Sequence, residues 1–126
     1  CRLPLYYLII NLSEDNFMFR FSASAPKTYE NLDGKSFRAR YQQAPKAVLL
    51  DVRTAGEFAA GSIAGALNLD VTSAAFRQAL EALDKDTEYF VFCVSGNRSG
   101  TACALMADKG LIACNLAAGI SSWPAR

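Results

Sequence analysis

The sequence of 126 residues contains no histidine, little net charge and no apolar stretch long enough to span a membrane. Without histidine, neither a Cys-His dyad nor a histidine general base is available, so a nucleophile must be activated by its surroundings. The formal net charge of +1 leaves no basic excess for nucleic-acid binding. The apolar residues 3–12 are too few to cross a hydrocarbon layer of about 30 Å. We therefore expect neither a nucleic-acid partner nor a membrane span.

The cysteines show no metal-binding spacing. Cys1, Cys93, Cys103 and Cys114 form no Cys-x-x-Cys pair, and there is no histidine to complete a ligand set. We predict no metal and no cofactor. Cys103 and Cys114 are most simply small core residues, and the alternative is that one of them serves as a resolving thiol. The presence of Cys103 and Cys114 beside a reactive thiol favours a reducing compartment, which predicts a cytoplasmic location.

Cys93 lies where an apolar strand gives way to a turn and a helix. The apolar run 89–93 is followed by the turn formers Ser95, Gly96 and Asn97, and residues 99–109 read as a helix closed by Gly110. A thiol here is surrounded by backbone N–H groups, at the positive end of a helix dipole and near Arg98. Such settings lower a cysteine pKa from about 8.5 to roughly 3.5–7.5. We predict a nucleophilic Cys93; the alternative is an ordinary buried cysteine.

Strand and helix patterns alternate along most of the chain. Apolar strands are predicted at 48–52, 66–69, 89–93 and 112–116. Helices are predicted at 55–60, after a cap at Thr72 or Ser73, and at 99–109, with a further helix placing Phe37 and Tyr41 on one face. Strands this apolar must be covered on both sides, which predicts an α/β fold with an open, mainly parallel sheet and helices on both faces. Cys93 then lies at the carboxyl end of a strand, where sites form in such sheets.

Asp51 and Arg53 follow the first of these strands and are predicted to support the loop at Cys93. The simplest interpretation pairs Arg53 with Glu57 and lets Asp51 cap the following turn. Phe58, Phe92 and Leu105 are core candidates, and Trp123 is expected to pack against the last helix.

Four segments together resemble the rhodanese family of sulfurtransferase domains. Residues 93–99, Cys-Val-Ser-Gly-Asn-Arg-Ser, resemble its active-site loop, and residues 48–53 with Glu57 and Phe58 resemble its first block. Residues 61–69 are similar to the second block and residues 115–123, which end on Trp123, to the closing one. Two positions depart from the family pattern, because Ser62 stands where a histidine is usual and Ala64 where a proline is usual.

The resemblance implies a rhodanese-like fold and a sulfurtransferase that carries a sulfane sulfur on Cys93 as a persulfide. Thiosulfate or a persulfide would be the donor, and a thiophilic small molecule or protein the acceptor. The anion pocket would consist of Cys93 and the loop that follows it: Val94, Ser95, Gly96, Asn97, Arg98 and Ser99. Related cysteine phosphatases place five residues between cysteine and arginine, whereas this chain has four, which favours sulfur over phosphate. The alternatives are a cysteine phosphatase or arsenate reductase, and a non-catalytic module that binds a partner protein.

The sequence divides into an extension, residues 1–28, and a rhodanese-like domain, residues 29–126. Within the extension, Met18 is a plausible natural start, and residues before it would then be accessory or not native. An alternative is that residues 1–25 are a truncated export signal, because an apolar stretch precedes the small residues 23–25. The sequence does not indicate an oligomeric state.

Overall fold

A computed structural model describes residues 28–124 of the chain. Its parallel strands are β1 (Glu30–Leu32), β2 (Ala47–Asp51), β3 (Leu67–Asn68), β4 (Glu88–Phe92) and β5 (Ile112–Leu116). Its helices are α1 (Gly34–Gln43), α2 (Ala55–Ala60), α3 (Phe76–Leu80) and α4 (Asn97–Asp108), followed by a 3₁₀ turn at Ile120–Ser122. The predictions made for the extension lie almost wholly outside the described residues.

The strands form one sheet in the order β1-β5-β4-β2-β3, so β4 is central. Neighbouring residues of each strand point to opposite faces, and both faces are buried. On one face Leu50 and Val91 pack with Phe76 of α3 and Met106 of α4. On the other, Leu49, Phe90 and Phe92 pack with Phe37 of α1. This confirms the predicted α/β fold with helices on both sides.

Most predicted elements are present within one or two residues of the expected bounds, with two exceptions. Strand β1 was not predicted, because three residues are too short for a periodic signal; it joins the sheet through β5, pairing Glu30 with Cys114. Helix α3 has only five residues and no side-chain cap. The amide and hydroxyl of Thr72 instead donate hydrogen bonds to the Asp70 carboxylate. The Ser73 hydroxyl accepts a hydrogen bond from the Ala75 amide within a local turn. The predicted cap at Thr72 or Ser73 is therefore wrong.

The aromatic residue near the carboxyl end also packs differently from the expectation. Trp123 lies edge-on to Phe37 and Tyr41 of α1, with ring centroids 6.1 Å apart in each case, and Arg38 lies over its ring. It therefore covers the first helix, not the last. Of the three core candidates, Phe92 is buried, Leu105 packs against the core and Phe58 is only half-buried.

Candidate active site

The loop from Cys93 to Gly96 connects the central strand β4 to the amino end of α4. Gly96 adopts a φ of +94°, which lets the chain turn back so that the first amides of α4 face Cys93. The loop lies at the carboxyl edge of the parallel sheet, as predicted. The strand therefore fixes the position of the thiol, and the glycine turn brings the helix amino end over it.

Cys93 is fully buried and its sulfur accepts hydrogen bonds from three donors. The Gly96 amide is 3.1 Å from Sγ, and the amide and hydroxyl of Ser99 are each 3.3 Å away. Burial by itself raises the pKa of the Cys93 thiol. The bonds from the Ser99 hydroxyl and from the amides of Ser99, Gly96 and Ser95 outweigh it and lower the pKa below its ordinary value. The site thus favours a thiolate by hydrogen bonding.

A chain of buried polar side chains extends behind the sulfur. The Ser99 hydroxyl also lies within hydrogen-bond distance of Asn115 Oδ1, and its single proton can serve only one acceptor at a time. The Asn115 amide group donates to Asn31 Oδ1 at 2.9 Å and to the Gly96 carbonyl at 3.2 Å. Asn115 therefore connects β1, β5 and the loop. This role of Asn115 was not predicted, although a polar residue within an apolar strand is a signal of a buried hydrogen-bond network.

Two glycines allow the loop to pack directly against the backbone that follows β5. A Cβ atom on Gly96 would lie 2.0 Å from the Ala117 carbonyl oxygen, and one on Gly119 would lie 1.8 Å from the Val94 carbonyl oxygen. The Ile120 amide donates to the Cys93 carbonyl at 2.9 Å. The chain after β5 thus holds the loop from outside.

Arg98 binds Glu57, which lies 41 residues earlier in the chain. Its Nη1 and Nη2 atoms donate to Glu57 Oε1 at 2.7 Å and Oε2 at 3.1 Å. Glu57 also accepts the Thr54 amide, in a capping box at the start of α2. The Arg98 bond, followed by the Thr54 amide bond, lowers the pKa of Glu57 to about 2. The predicted Arg53–Glu57 pair is therefore wrong, because Arg98 occupies the carboxylate.

Arg53 instead pairs with Asp51 beneath the carboxyl edge of the sheet. Arg53 Nη2 lies 2.7 Å from Asp51 Oδ2, and Asp51 has no exposed surface. Arg53 also donates to the Gly61 carbonyl, and the Ser62 hydroxyl donates to Asp51 at 2.8 Å. The Asp51 carboxylate accepts a hydrogen bond from the Arg53 amide, which agrees with the predicted role of Asp51 in the turn. The residue that caps helix α2 is Thr54. Ser62, where the family usually has histidine, thus takes part in this buried network.

The remaining loop residues face outward. Val94 is 47% exposed, and the Asn97 amide donates to the Ser95 hydroxyl and not to the sulfur. Of the predicted pocket, the amides of Ser95, Gly96 and Ser99 act on Cys93. The Arg98 guanidinium is directed to Glu57.

The other two internal cysteines are buried, one on each face of the sheet. Cys103 lies in α4 with no exposed surface, and burial raises its pKa above the ordinary range. Cys114 is buried in β5 in the cluster on the other side of the sheet. Within residues 28–124 no group of three histidine, cysteine or acidic side chains is placed to hold a metal ion.

Comparison with known proteins places this geometry in a family. The family profile of the rhodanese-like domain matches residues 34–126. The chain belongs to the rhodanese-like domain family. A sulfurtransferase of Allochromatium vinosum is 33% identical over 93 residues, which is 73% of this chain and 85% of that protein. A putative sulfurtransferase of Bacillus subtilis is 35% identical over 75 residues, or 60% of this chain and 71% of that one.

Solved rhodanese structures share the fold. A rhodanese-related protein from Thermoplasma volcanium superposes with a TM-score of 0.63 at 29% identity, covering 75% of this chain and 90% of that one. A rhodanese-like domain protein from Staphylococcus aureus gives a TM-score of 0.66 at 22% identity, covering 75% and 91%. Among the described residues of this rhodanese-like chain, no helix is long and apolar enough to cross a membrane.

Proposed function

We propose that this rhodanese-like protein is a sulfurtransferase that carries a sulfane sulfur on Cys93 as a persulfide. The observation that carries the proposal is the Cys93 sulfur, which accepts bonds from Gly96 and Ser99 and whose pKa is lowered by them. The names of the two bacterial relatives support the same reaction class. If a persulfide formed there, hydrogen bonds from backbone N–H groups of the same loop would stabilise its anionic outer sulfur.

The reaction needs no histidine general base, because the hydrogen bonds that lower the pKa of Cys93 favour the thiolate before the donor binds. The Cys93 thiolate attacks the outer sulfur of the donor, a new S–S bond forms, and the donor's own bond to that sulfur breaks with its electron pair on the leaving group. With thiosulfate the leaving group is sulfite. An acceptor nucleophile then takes the outer sulfur and restores the thiolate. Each step is a displacement at sulfur, and no external oxidant is consumed.

The depth of Cys93 favours sulfur over phosphorus as the reacting atom. The thiol has no exposed surface, so the electrophilic atom must enter the loop to reach it. A sulfane sulfur has one substituent and projects about 2 Å beyond its neighbour. The phosphorus of a phosphate ester carries three oxygens besides its leaving group. The four-residue loop is therefore better suited to the slender sulfur.

The first prediction tests Cys93 directly. Cys93→Ser should abolish persulfide formation, because a hydroxyl neither ionises near neutral pH nor holds a second sulfur. Intact-mass spectrometry after incubation with thiosulfate or a small persulfide should show one added sulfur on the parent protein and none on the variant. Cyanide should then release that sulfur as thiocyanate.

Cys103→Ala is the matched control. It removes a buried sulfur from the same core cluster, so it should lower stability through a small cavity while Cys93 still takes up sulfur. Sulfur added to Cys93→Ser in the parent's amount would contradict the mechanism. Hydrolysis of para-nitrophenyl phosphate without persulfide formation would support a phosphatase. The absence of both activities would support a binding module.

A further inference from the structure

The cation in the active-site loop is already neutralised within the fold. Arg98 forms a two-point bond with Glu57, whose side chain is only about a third exposed. Two-point pairing fixes the guanidinium plane as well as its position. The Glu57 carboxylate is also held by the Thr54 amide in the capping box of α2, so it is fixed by its own helix as well as by Arg98. Arg98 is thus not available as an uncompensated charge for an anionic donor.

The principal charged neighbours of the loop do not supply another excess of positive charge. Arg53 is paired with Asp51, and Arg98 is paired with Glu57. The Asp70 carboxylate also lies close enough to act electrostatically on Arg98. Two cations against three carboxylates leave a formal charge of −1 among these described residues. Side-chain charge at this edge therefore gives a small dianion no net attraction beyond that of the loop amides and the amino end of α4.

The outward side chains of the loop are uncharged. Val94 directly follows Cys93, and nearly half of its surface is exposed, which makes it one of two large apolar side chains exposed in the described part of the chain. Ser95 and Asn97, also exposed, are polar without charge. The exposed side chains beside Cys93 therefore form an apolar and neutral rim of the loop.

We propose that the donor of this site is an organic persulfide and not thiosulfate, with Glu57 as the positioning residue that sets this preference. The inference rests on the sulfurtransferase function proposed above. The Cys93 thiolate attacks the terminal sulfur of R–S–SH; the Cys93–S bond forms and the donor S–S bond breaks. The electron pair leaves on the inner sulfur, which takes the proton, so the products are R–SH and the Cys93 persulfide anion. The organic group R packs on the rim at Val94, whereas the dianionic thiosulfate gains nothing from a neutralised Arg98.

Single-turnover persulfidation with two donors tests the proposal. The parent protein is mixed with thiosulfate or with N-acetylcysteamine persulfide, whose organic group carries no charge, and sulfur on Cys93 is followed by intact mass. The persulfide should react at least about tenfold faster than thiosulfate. Tenfold is the lower end of the rate gain that charge steering gives an anionic ligand, and thiosulfate lacks that gain when Arg98 is neutralised. The thiosulfate rate of the parent should depend little on ionic strength.

Glu57→Gln should release the charge of Arg98. Glutamine still fits a capping box, so α2 keeps an acceptor for the Thr54 amide. The ratio of the thiosulfate rate to the persulfide rate should rise by about tenfold, and the thiosulfate rate should now fall as salt is added. The matched control is Glu81→Gln, which also removes one carboxylate from an ion pair, with Lys109 at the far end of α4. Its ratio should equal that of the parent.

Val94→Lys provides a second route that leaves the ion pair intact. A cation at this exposed position should raise the thiosulfate rate in the same salt-dependent way, and Val94→Met, of similar length without charge, should not. A parent that reacts with thiosulfate as fast as with the persulfide, or a donor ratio unchanged in both Glu57→Gln and Val94→Lys, would overturn the proposal. No sulfur gained from either donor, while iodoacetamide still alkylates Cys93, would overturn the sulfurtransferase function and this proposal with it.

Discussion

Among the residues of the site, Ser99 has the closest connection to the chemistry of Cys93. It contributes two of the three hydrogen bonds to the sulfur, one from its amide and one from its hydroxyl. The hydroxyl proton is shared between the sulfur and Asn115. When Cys93 ionises, the negative sulfur becomes the stronger acceptor, so the proton should turn towards it. The protonation of the thiol and the orientation of the Ser99 hydroxyl are therefore coupled.

Ser99→Ala should raise the pKa of Cys93, because the hydroxyl bond that favours the thiolate is lost while burial still opposes ionisation. A hydrogen bond to a charged group contributes about 1.5–3 kcal/mol, which corresponds to a shift of roughly one pH unit or more. The measurement is the midpoint of the iodoacetamide alkylation rate against pH, which should move upward.

Thr101→Val is the control for this substitution. It also removes a hydroxyl from α4, at an exposed position where the hydroxyl donates to the Asn97 carbonyl. Its alkylation midpoint should match the parent. An unchanged midpoint in Ser99→Ala would mean that the backbone amides alone set the thiolate.

At the scale of elements, the loop is held between α4 and the segment after β5. Gly96 combines a positive φ with a close approach to the Ala117 carbonyl, so both its own backbone and its neighbour exclude a side chain. Gly119 also has a positive φ, and it approaches the Val94 carbonyl too closely for a side chain to fit. The active-site loop is therefore shaped by an element that contains none of the predicted catalytic residues.

Gly96→Ala should destabilise the protein and displace the loop. The left-handed backbone alone costs an alanine about 1–2 kcal/mol, and the contact with Ala117 adds to this. Chemical denaturation should show the loss in free energy of unfolding, and persulfide formation on Cys93 should slow because the Gly96 amide moves.

Gly56→Ala is the contrasting substitution. Gly56 lies within α2, and a Cβ there would meet nothing within 4 Å. Alanine should stabilise this helix by roughly 0.5–1 kcal/mol. Equal free-energy changes for the two substitutions would contradict the packing described for Gly96.

For the whole molecule, the buried pair Asp51–Arg53 joins separate segments at the carboxyl edge of the sheet. Through Arg53 it reaches the Gly61 carbonyl, and through Asp51 it reaches the Ser62 hydroxyl. Asn68 of β3 donates to the backbone carbonyls of both residues of the pair. These bonds attach the chain after α2 to β2, and so they support the side of the site on which Glu57 holds Arg98.

Arg53→Ala should reduce the free energy of unfolding by about 3–5 kcal/mol, because it leaves the Asp51 carboxylate buried without its partner. Arg40→Ala removes an arginine from an exposed pair with Glu30 and should cost no more than about 1 kcal/mol. Urea denaturation of both variants gives the comparison. A loss for Arg53→Ala no greater than that for Arg40→Ala would show that the buried network contributes little.

Local sequence determined the parts of this protein that depend on neighbouring residues. The apolar run before Cys93, the turn formers after it and the helix beyond were enough to predict the strand-loop-helix unit and the place of the thiol. Alternating strands and helices were enough to predict a parallel sheet covered on both faces, because such strands cannot remain exposed. The capping box of α2, Thr54 with Glu57, is also a local pattern, although it was not predicted because the cap was assigned to Asp51.

Only the tertiary structure decided the pairing of charges and buried polar groups. By spacing alone Arg53 and Glu57 were suitable partners, yet the fold brings Arg98 to Glu57 from 41 residues away and turns Arg53 to Asp51. Asn115 reaches Ser99, Gly96 and Asn31 only because β5 lies between β1 and β4 in the sheet. An ion pair or a buried hydrogen bond depends on distances of about 3 Å between groups that the chain itself does not connect, and strand order sets those distances.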